Sequence, residues 1–226
     1  MILFRPNEFF SKEIILTKEE IEHLRSLRLN EIEKEIEVRD GNGNSYFFNV
    51  LPKSKIGNLI KIEKNNLNEK KIRIASAIPK ANRFDFLIQK STEIGITDFY
   101  FINFFHSDRK EINLERTNKI ILEACSQSKR HTIPRVFFYT SLEKFLNEHS
   151  NILLLDPKAD KGIQENIDWS LIPVIGPEGG FRKEELEQFD KVDAKKYSIG
   201  ENILRIETAQ IFMTSLISFH STPRNI

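Results

Sequence analysis

The chain has 226 residues, of which 39% are hydrophobic and 30% are charged, and its formal net charge is +1. This length suits one large domain, or a small domain joined to a medium one. The apolar runs are far shorter than the roughly 20 residues that span a bilayer, and the first residues do not have the pattern expected of a secretory signal. A single cysteine, Cys125, excludes a disulfide framework within the chain. We therefore expect a protein of the reducing cytoplasm.

Residues 1–69 are predicted to form a small β domain. Ile36 and Val38 alternate with charged residues, and a turn rich in Gly and Asn separates them from the second apolar run, Tyr46 to Val50. This pattern predicts a β-hairpin. A short helix is expected over residues 18–27. The polar, Asn-rich residues 63–71 are the expected domain boundary.

Residues 70–226 are predicted to form a second domain in which strands alternate with helices. Asn82 can cap the first helix, Gly95 is placed to end it, and Asn113 is placed to open the second. Further helices are expected over residues 142–146, 183–189 and 203–220. The predicted strands are "IRIASAIP", "TDFYFINF", "NILLLD", "IPVIG" and "KKYSIG". Because this alternation requires crossover connections, we predict an α/β fold with a mostly parallel sheet.

Three of the predicted strands end in unusual turns, which begin at Leu155, Gly176 and Gly200. In an open parallel sheet, ligands bind just beyond the carboxyl ends of the strands. Glycine lets a ligand approach the main chain closely. The spacing matches neither a dinucleotide fingerprint nor a phosphate-binding P-loop. The turns therefore predict a ligand that is held mainly by backbone groups.

Two motifs occur together here, "IGPEGGF" at residues 175–181 and "SIGENILRIETA" at residues 198–209. With them the chain resembles the ribosomal RNA small-subunit methyltransferase E family, within the knotted SPOUT superfamily of RNA methyltransferases. The resemblance extends to "KANRFDFLIQKSTEIGI", to "EACSQSKRHTIPRV" and to the N-terminal "HLRSLRLNEIEKEIEVRDGNGNSYFF". It covers nearly the whole chain, and the two C-terminal motifs are its most specific part.

The resemblance implies a SPOUT-type, mostly parallel sheet with a C-terminal deep trefoil knot over residues 70–226, preceded by a PUA-like RNA-binding β-barrel at residues 1–69. It also implies S-adenosyl-L-methionine as the cofactor and a homodimer formed through the knot region. The implied cofactor-binding residues are Leu155, Ile175, Gly176, Pro177, Gly179, Gly180, Ile199, Gly200, Ile203, Leu204, Thr208 and Ala209.

The reaction that the resemblance implies is methylation of N3 of one uridine in 16S ribosomal RNA. Because uridine N3 carries a proton at neutral pH, the site must stabilise a developing anion, and oriented donors serve that purpose. Arg205 is the implied catalytic residue. Pairing of Arg205 with Glu201 or Glu207, as a support for the loop, stays open, and so does a role for Glu178 or Glu207 as a base.

Positive charge is concentrated in the middle of the chain. Residues 71–135 contain 12 basic and 7 acidic residues, whereas residues 1–70 are balanced and residues 136–226 are acidic. A polyanion such as RNA would dock most favourably on the basic segment. The candidate RNA-binding residues are Arg25, Arg28, Lys80, Arg83, Lys129 and Arg130.

Two other functions are compatible with the sequence. One is a SPOUT methyltransferase that acts on transfer RNA, and the other is an RNA-binding protein without catalysis, which would have no affinity for S-adenosylmethionine. The expected partner is 16S ribosomal RNA within the small subunit, although free RNA stays open as the substrate. The sequence contains no set of residues with metal-ligand spacing, so we expect no metal ion. Because its apolar runs are too short to span a bilayer, we also expect no membrane partner.

Overall fold

The structure is a computed structural model that describes residues 1–6, 8–10, 12–65, 71–163 and 167–221. The chain divides into two compact units. Unit 1 comprises residues 1–69 and 125–133, and unit 2 comprises residues 70–124 and 134–226. Residues 125–133, which the sequence interpretation placed in the second domain, thus belong to unit 1. Most of the expected boundary segment, residues 66–70, lies outside the described residues.

Among its described residues, unit 1 contains a five-stranded sheet and one complete helix. The sheet has the order β1-β3-β4-β5-β2, in which β1 runs parallel to β3 and the other pairs are antiparallel. The elements are β1 (Ile2–Phe4), β2 (Glu13–Ile15), α1 (Lys18–Ser26), β3 (Lys34–Arg39), β4 (Asn44–Val50) and β5 (Ile56–Lys64). The predicted hairpin, β3 with β4, and the predicted helix α1 are confirmed.

The hairpin turn forms because Asp40 satisfies the backbone of the residues that follow it. Its carboxylate accepts hydrogen bonds from the backbone N–H groups of Asn42 and Asn44, at 2.7 and 3.1 Å. Gly41 and Gly43 both have positive φ, which glycine adopts without steric cost. The inward-facing side chains of the strands form an apolar core with α1, made of Ile14, Leu16, Leu24, Ile36, Val38, Tyr46, Phe48 and Val50.

Unit 2 is an α/β unit whose six-stranded sheet is entirely parallel, with the order β11-β9-β10-β6-β7-β8. The predicted parallel sheet is confirmed. The elements are β6 (Arg73–Ser76), α2 (Ala81–Ile94), β7 (Asp98–Ile102), α3 (Leu114–Gln127), β8 (Arg135–Tyr139), α4 (Leu142–Glu148), β9 (Ile152–Leu155), β10 (Ile172–Ile175), α5 (Lys183–Lys191), β11 (Lys195–Tyr197) and α6 (Ile206–Ser221).

Three details of unit 2 differ from the prediction. Strand β8 was not predicted. Helix α2 is preceded by Lys80, which makes no side-chain capping bond, so Asn82 lies within the helix and does not cap it, although Gly95 ends it in the left-handed conformation as predicted. Helix α6 begins at Ile206, three residues later than expected, so Ile203 lies in the preceding loop. The trefoil knot stays a prediction.

Helix α6 is buried along one side and exposed along the other. Its inner side packs on α2, β6 and β10, and Met213 and Ile217 are almost fully buried there. Its outer side carries Thr208, Phe212, Ser215 and Phe219, which are exposed and repeat at helical spacing. Unit 2 therefore leaves two phenylalanine side chains of this helix exposed to solvent in the monomer.

Candidate active site at the strand ends

Three neighbouring strands of unit 2 end at the same edge of the sheet. Tyr197 at the end of β11 lies opposite Leu155 at the end of β9. Strand β10 pairs with the other side of β9, where Val174 lies opposite Leu154. Because all three strands are parallel, the turns after Leu155, Ile175 and Tyr197 leave the sheet on one side. The three predicted ligand loops are thus adjacent, at the edge where open α/β sheets bind ligands.

The loop after β10 is a tight turn that contains few side chains. The Gly180 N–H donates to the carbonyl oxygen of Pro177 at 2.9 Å. Gly180 has φ +75°, and a Cβ atom added there would meet nothing within 4 Å. A Cβ added at Gly176 would instead lie 2.5 Å from the ring of Phe181. Gly176 therefore makes room for a side chain of its own loop, whereas Gly180 borders open space.

A second loop, between β7 and α3, fixes the position of this turn. The backbone of Gly179 packs on His106, whose Cβ atom would be 3.0 Å from an added Cβ. Nδ1 of His106 lies 3.0 Å from the carbonyl oxygen of Gly180. Phe105 lies beneath the guanidinium of Arg182, 3.8 Å from its Cζ atom to the ring centroid. These contacts explain how a glycine-rich turn keeps one conformation.

A cleft opens next to these two loops, where β6 ends and α6 begins. Its lining residues are Ala77, Ile78, Pro79, Lys80, Ser107, Asp108, Pro177, Glu178 and Ile206. Of this set, only Pro177 belongs to the predicted cofactor residues. The sequence analysis missed the contribution of residues 77–79 and 107–108, because the loops that carry them become neighbours only through the strand order β10-β6-β7.

A cluster of three charged groups lies beside the cleft. The guanidinium of Arg83 donates a hydrogen bond to Glu178, and its Nε lies 3.7 Å from Oε1 of Glu207. Oε2 of Glu207 is buried and has no hydrogen-bond partner among the described residues. Arg83 thus links the glycine-rich loop to the first turn of α6 and is compensated by carboxylates. The RNA-binding role of Arg83 stays a prediction.

The predicted cofactor residues differ in exposure in the structure. The buried residues are Leu155, Ile175, Pro177 and Ala209, and the half-buried ones are Gly176, Ile199 and Leu204. Gly179, Gly180, Gly200 and Thr208 are exposed, and 83% of Ile203 is exposed. All of them lie on the three strand-end loops or on the first turn of α6.

Arg205 precedes the first residue of α6, and its carbonyl oxygen accepts the hydrogen bond from the N–H of Ala209 at 2.8 Å. Its side chain is exposed. Within the described part of the chain no carboxylate pairs with it, since Glu207 faces Arg83 instead. The alternative in which Arg205 is neutralised by Glu201 or Glu207 therefore receives no support, and its guanidinium is available to a ligand.

Four of the six predicted RNA-binding residues belong to unit 1 and two to unit 2. Arg25 lies in the last turn of helix α1, Arg28 follows the helix with φ +56°, and Lys129 also has a positive φ, +58°. Arg25, Arg28 and Lys129 are exposed, and Arg130 is half-buried. In unit 2, Lys80 is exposed but has Asp108 at 3.6 Å.

Sequence reasoning missed the buried guanidinium of Arg39, which holds the Lys129–Arg130 backbone within unit 1. It donates to the carbonyl oxygen of Lys129 and, at 2.6 Å, to that of Arg130. Its Nε also pairs with Glu37 at 2.6 Å. Burial would raise the pKa of Glu37, but hydrogen bonds from Arg39 and Ser45 outweigh it and lower the pKa. The ionised carboxylate then compensates the buried cation.

Among residues 1–6, 8–10, 12–65, 71–163 and 167–221, no three or more His, Cys, Asp or Glu side chains are arranged to hold a metal ion. No helix in the described part of the chain is long and apolar enough to cross a membrane.

Comparison with known proteins identifies the family. Residues 66–218 match the model of the RNA methyltransferase domain. The ribosomal RNA small subunit methyltransferase E of Mesomycoplasma hyopneumoniae is 32% identical over 94% of this chain and 97% of its own length. The chain belongs to the ribosomal RNA small subunit methyltransferase E family. The region that matches the domain model contains all three strand-end loops and most of α6, so the family's domain coincides with the candidate site.

Solved structures agree with this family at the level of the fold. A methyltransferase of Legionella pneumophila, solved with the bound cofactor SAM (S-adenosylmethionine), superposes with a TM-score of 0.81 at 23% identity. The family member from Neisseria gonorrhoeae, bound to S-adenosyl methionine, gives a TM-score of 0.76 at 23% identity. Each alignment covers 97% of both chains. The architecture of both units is therefore shared with these enzymes.

Proposed function

We propose that this protein is an S-adenosylmethionine-dependent methyltransferase that methylates N3 of a uridine in 16S ribosomal RNA. The observation that carries the proposal is the meeting of three loops at one edge of a parallel sheet, with an open space beside Gly180. Membership of the family and the two related structures solved with S-adenosylmethionine support the choice of cofactor and of RNA class.

The residues at this edge fit such a cofactor. An adenosine needs donors and acceptors along one plane and an apolar surface against its faces, which backbone groups at Gly176 to Gly180 and the buried side chains of Leu155 and Ile175 can supply. The loop at Ile199–Gly200 would cover it. When bound, S-adenosylmethionine supplies an electrophilic methyl group, so the protein's main task is to position the acceptor nitrogen in line with it.

The harder part of the reaction is the acceptor. Uridine N3 must lose a proton, and negative charge then spreads over N3 and the two neighbouring carbonyl oxygens. Arg205 presents an exposed, uncompensated guanidinium at the loop that precedes α6, so it can stabilise this anion as it forms. Arg83, in contrast, already has two carboxylates and is a positioning residue in this proposal.

We also propose that residues 70–226 contain a C-terminal trefoil knot. The exposed face of α6, with Phe212 and Phe219, leaves apolar surface that a second copy would bury. We propose that the protein is a homodimer formed through this region. Residues 1–69 act as the PUA-like RNA-binding domain, with Arg25 and Arg28 as phosphate contacts, and Lys129 and Arg130, which also belong to unit 1, provide two more.

The test combines a cellular and an in vitro measurement. Ribosomal RNA from cells that lack the protein is digested, and its methylated nucleosides are mapped by mass spectrometry. We expect one N3-methyluridine of 16S RNA to disappear and to return on complementation. Purified protein should restore it when S-adenosylmethionine is added to small subunits or to free RNA, and this comparison identifies the substrate. A lost methyl group in transfer RNA, or no lost methyl group at all, would contradict the proposal.

A further inference from the structure

Arg109 lies beside the cleft in a position that the sequence did not single out. It directly follows Ser107 and Asp108, which line the cleft, in the loop between β7 and α3. Its guanidinium carbon is 5.3 Å from the centroid of the Phe84 ring. Phe84 is 2% exposed and packs on Phe101 with 5.0 Å between ring centroids. The guanidinium is therefore supported on an aromatic ring that belongs to the core.

Three cations on the elements next to Arg109 are paired with carboxylates, whereas Arg109 has no such partner among the described residues. Lys80 has Asp108, and Arg83 has Glu178 and Glu207. Arg116 forms a two-armed pair with Asp85 through Nε and Nη2. For Arg109, the described residues provide neither a carboxylate within 4.0 Å nor a side-chain hydrogen bond. Its guanidinium lies over the Phe84 ring, and its N–H donors have no partner in the part of the chain that the structure describes.

We propose that Arg109 binds a backbone phosphate of the RNA substrate at the edge of the cleft. The contact with the Phe84 ring restricts where the guanidinium can lie, and the planar fork of N–H donors of an arginine matches two phosphate oxygens at once. The fixed position also reduces the side-chain entropy that binding would otherwise cost. The inference rests on the proposed function, because it takes the ligand of this cleft to be RNA.

The test measures how RNA affinity depends on salt. The full-length protein is titrated with 16S ribosomal RNA transcribed in vitro, at several KCl concentrations. Removal of one phosphate contact reduces the slope of log K against log [salt] by about 0.7 to 0.9. We expect Arg109→Ala to show this reduction and to bind several-fold more weakly. Arg109→Lys should keep the slope but lose affinity, because an ammonium lacks the planar fork.

Arg116→Ala is the matched control. It removes an arginine from the neighbouring helix α3 whose charge is already paired with Asp85, so its salt slope should equal that of the wild type. S-adenosylmethionine affinity, measured by calorimetry, should be unchanged in Arg109→Ala and Arg109→Lys and serves as the check on folding. If the alanine variant has the wild-type slope, or loses affinity without a change in slope, Arg109 does not bind phosphate and the inference is wrong. Wild-type protein without salt-dependent RNA binding would overturn the proposed function as well.

Discussion

The strand-end edge of unit 2 and the basic segments of unit 1 are built in opposite ways. At the strand ends the cofactor loops offer mainly backbone, since a side chain is absent at Gly180 and that of Arg83 is already paired, and Arg205 is the exposed exception. In unit 1 the buried guanidinium of Arg39 donates hydrogen bonds to the backbone carbonyl oxygens of Lys129 and Arg130, and the side chain of Lys129 is exposed to solvent. A ligand that contacts backbone is sensitive to shape, whereas one that contacts exposed charges is sensitive to ionic strength.

The largest expected effect is that of Gly180→Val. A branched side chain would fill the open space beside the loop, and the positive φ of Gly180 is unfavourable for a β-branched residue. We expect S-adenosylmethionine binding to fall below detection in calorimetry, a loss of more than about 100-fold or roughly 2.7 kcal/mol. RNA binding through unit 1 should be retained.

Gly180→Asn separates the two reasons for this loss. Asparagine tolerates the left-handed backbone region much better than valine, but it still places a side chain in the open space. If ligand and side chain compete for that space, both variants lose cofactor affinity. A folded asparagine variant with full affinity would mean that backbone strain alone explains the valine result, and a folded valine variant with full affinity would remove this loop from the site.

The second effect in size is that of Arg205→Ala. If Arg205 stabilises the uridine anion, its contact strengthens as charge develops, so the substitution acts on the chemical step rather than on binding. Loss of one such donor typically costs about 10² to 10³ in rate. Single-turnover methylation at saturating RNA and cofactor should show this loss, with partial recovery at high pH, where more uridine is already deprotonated.

The outcome for Arg205 also tests the contrast between the two units. Arg205→Lys should restore part of the rate, because it keeps the charge but not the planar donors. A variant that has a normal rate at saturation and is defective only in affinity would make Arg205 a binding residue. The site at the strand ends would then depend on exposed charge in the same way as unit 1.

The sequence was sufficient to predict the parallel sheet and the three loops, because those features are local. Apolar runs mark strands such as β9 and β10, and glycines mark the turns that follow them. The resemblance to the family supplied the cofactor and the reaction. Strand β8 was not predicted, because Arg135–Tyr139 is only five residues long and its side chains do not alternate between buried and exposed.

The contacts that the sequence could not predict are those between segments far apart in the chain. Arg83 and Glu178 are 95 residues apart, and Arg39 and Lys129 are 90 residues apart. The fold alone brings both arginines next to these partners. Composition does not distinguish an arginine that binds a carboxylate or a carbonyl group of the protein from one that is available to bind RNA. For that reason the sequence did not reveal the carboxylate partners of Arg83 or the contacts of Arg39 and Arg109.

A smaller, graded effect is expected from the basic residues of unit 1. Lys129→Ala and Arg130→Ala should each reduce the salt slope of RNA binding by about 0.7 to 0.9 if each contacts one phosphate. Cofactor affinity should not change. Lys53→Ala is the control, because Lys53 is exposed in the same unit but lies 3.3 Å from Glu31. Equal slopes for all three variants and the wild type would show that the loop at residues 129–130 does not touch phosphate.

The smallest effect concerns how the pH dependence of stability differs between the units. In unit 2, burial lowers the pKa of His149, which packs on the rings of Tyr100 and Phe145. Because the unfolded chain then takes up the proton more readily than the folded one, stability is lost as pH falls below the ordinary histidine value of about 6.5. His149→Phe keeps the aromatic contacts and removes the titration, so its urea-unfolding midpoint should fall less between pH 7.5 and 5.5.

Unit 1 provides the comparison at lower pH. Burial would raise the pKa of Glu20, but hydrogen bonds from Arg5 and Thr17 outweigh it and lower the pKa. The stability that this carboxylate contributes is therefore complete above about pH 4.5 and is lost only as pH falls below that value. Glu20→Gln should be destabilised at neutral pH by loss of the pair with Arg5, yet follow the wild-type trend between pH 7.5 and 5.5. If His149→Phe followed that trend as well, the acid sensitivity near pH 6 would arise from histidines other than His149.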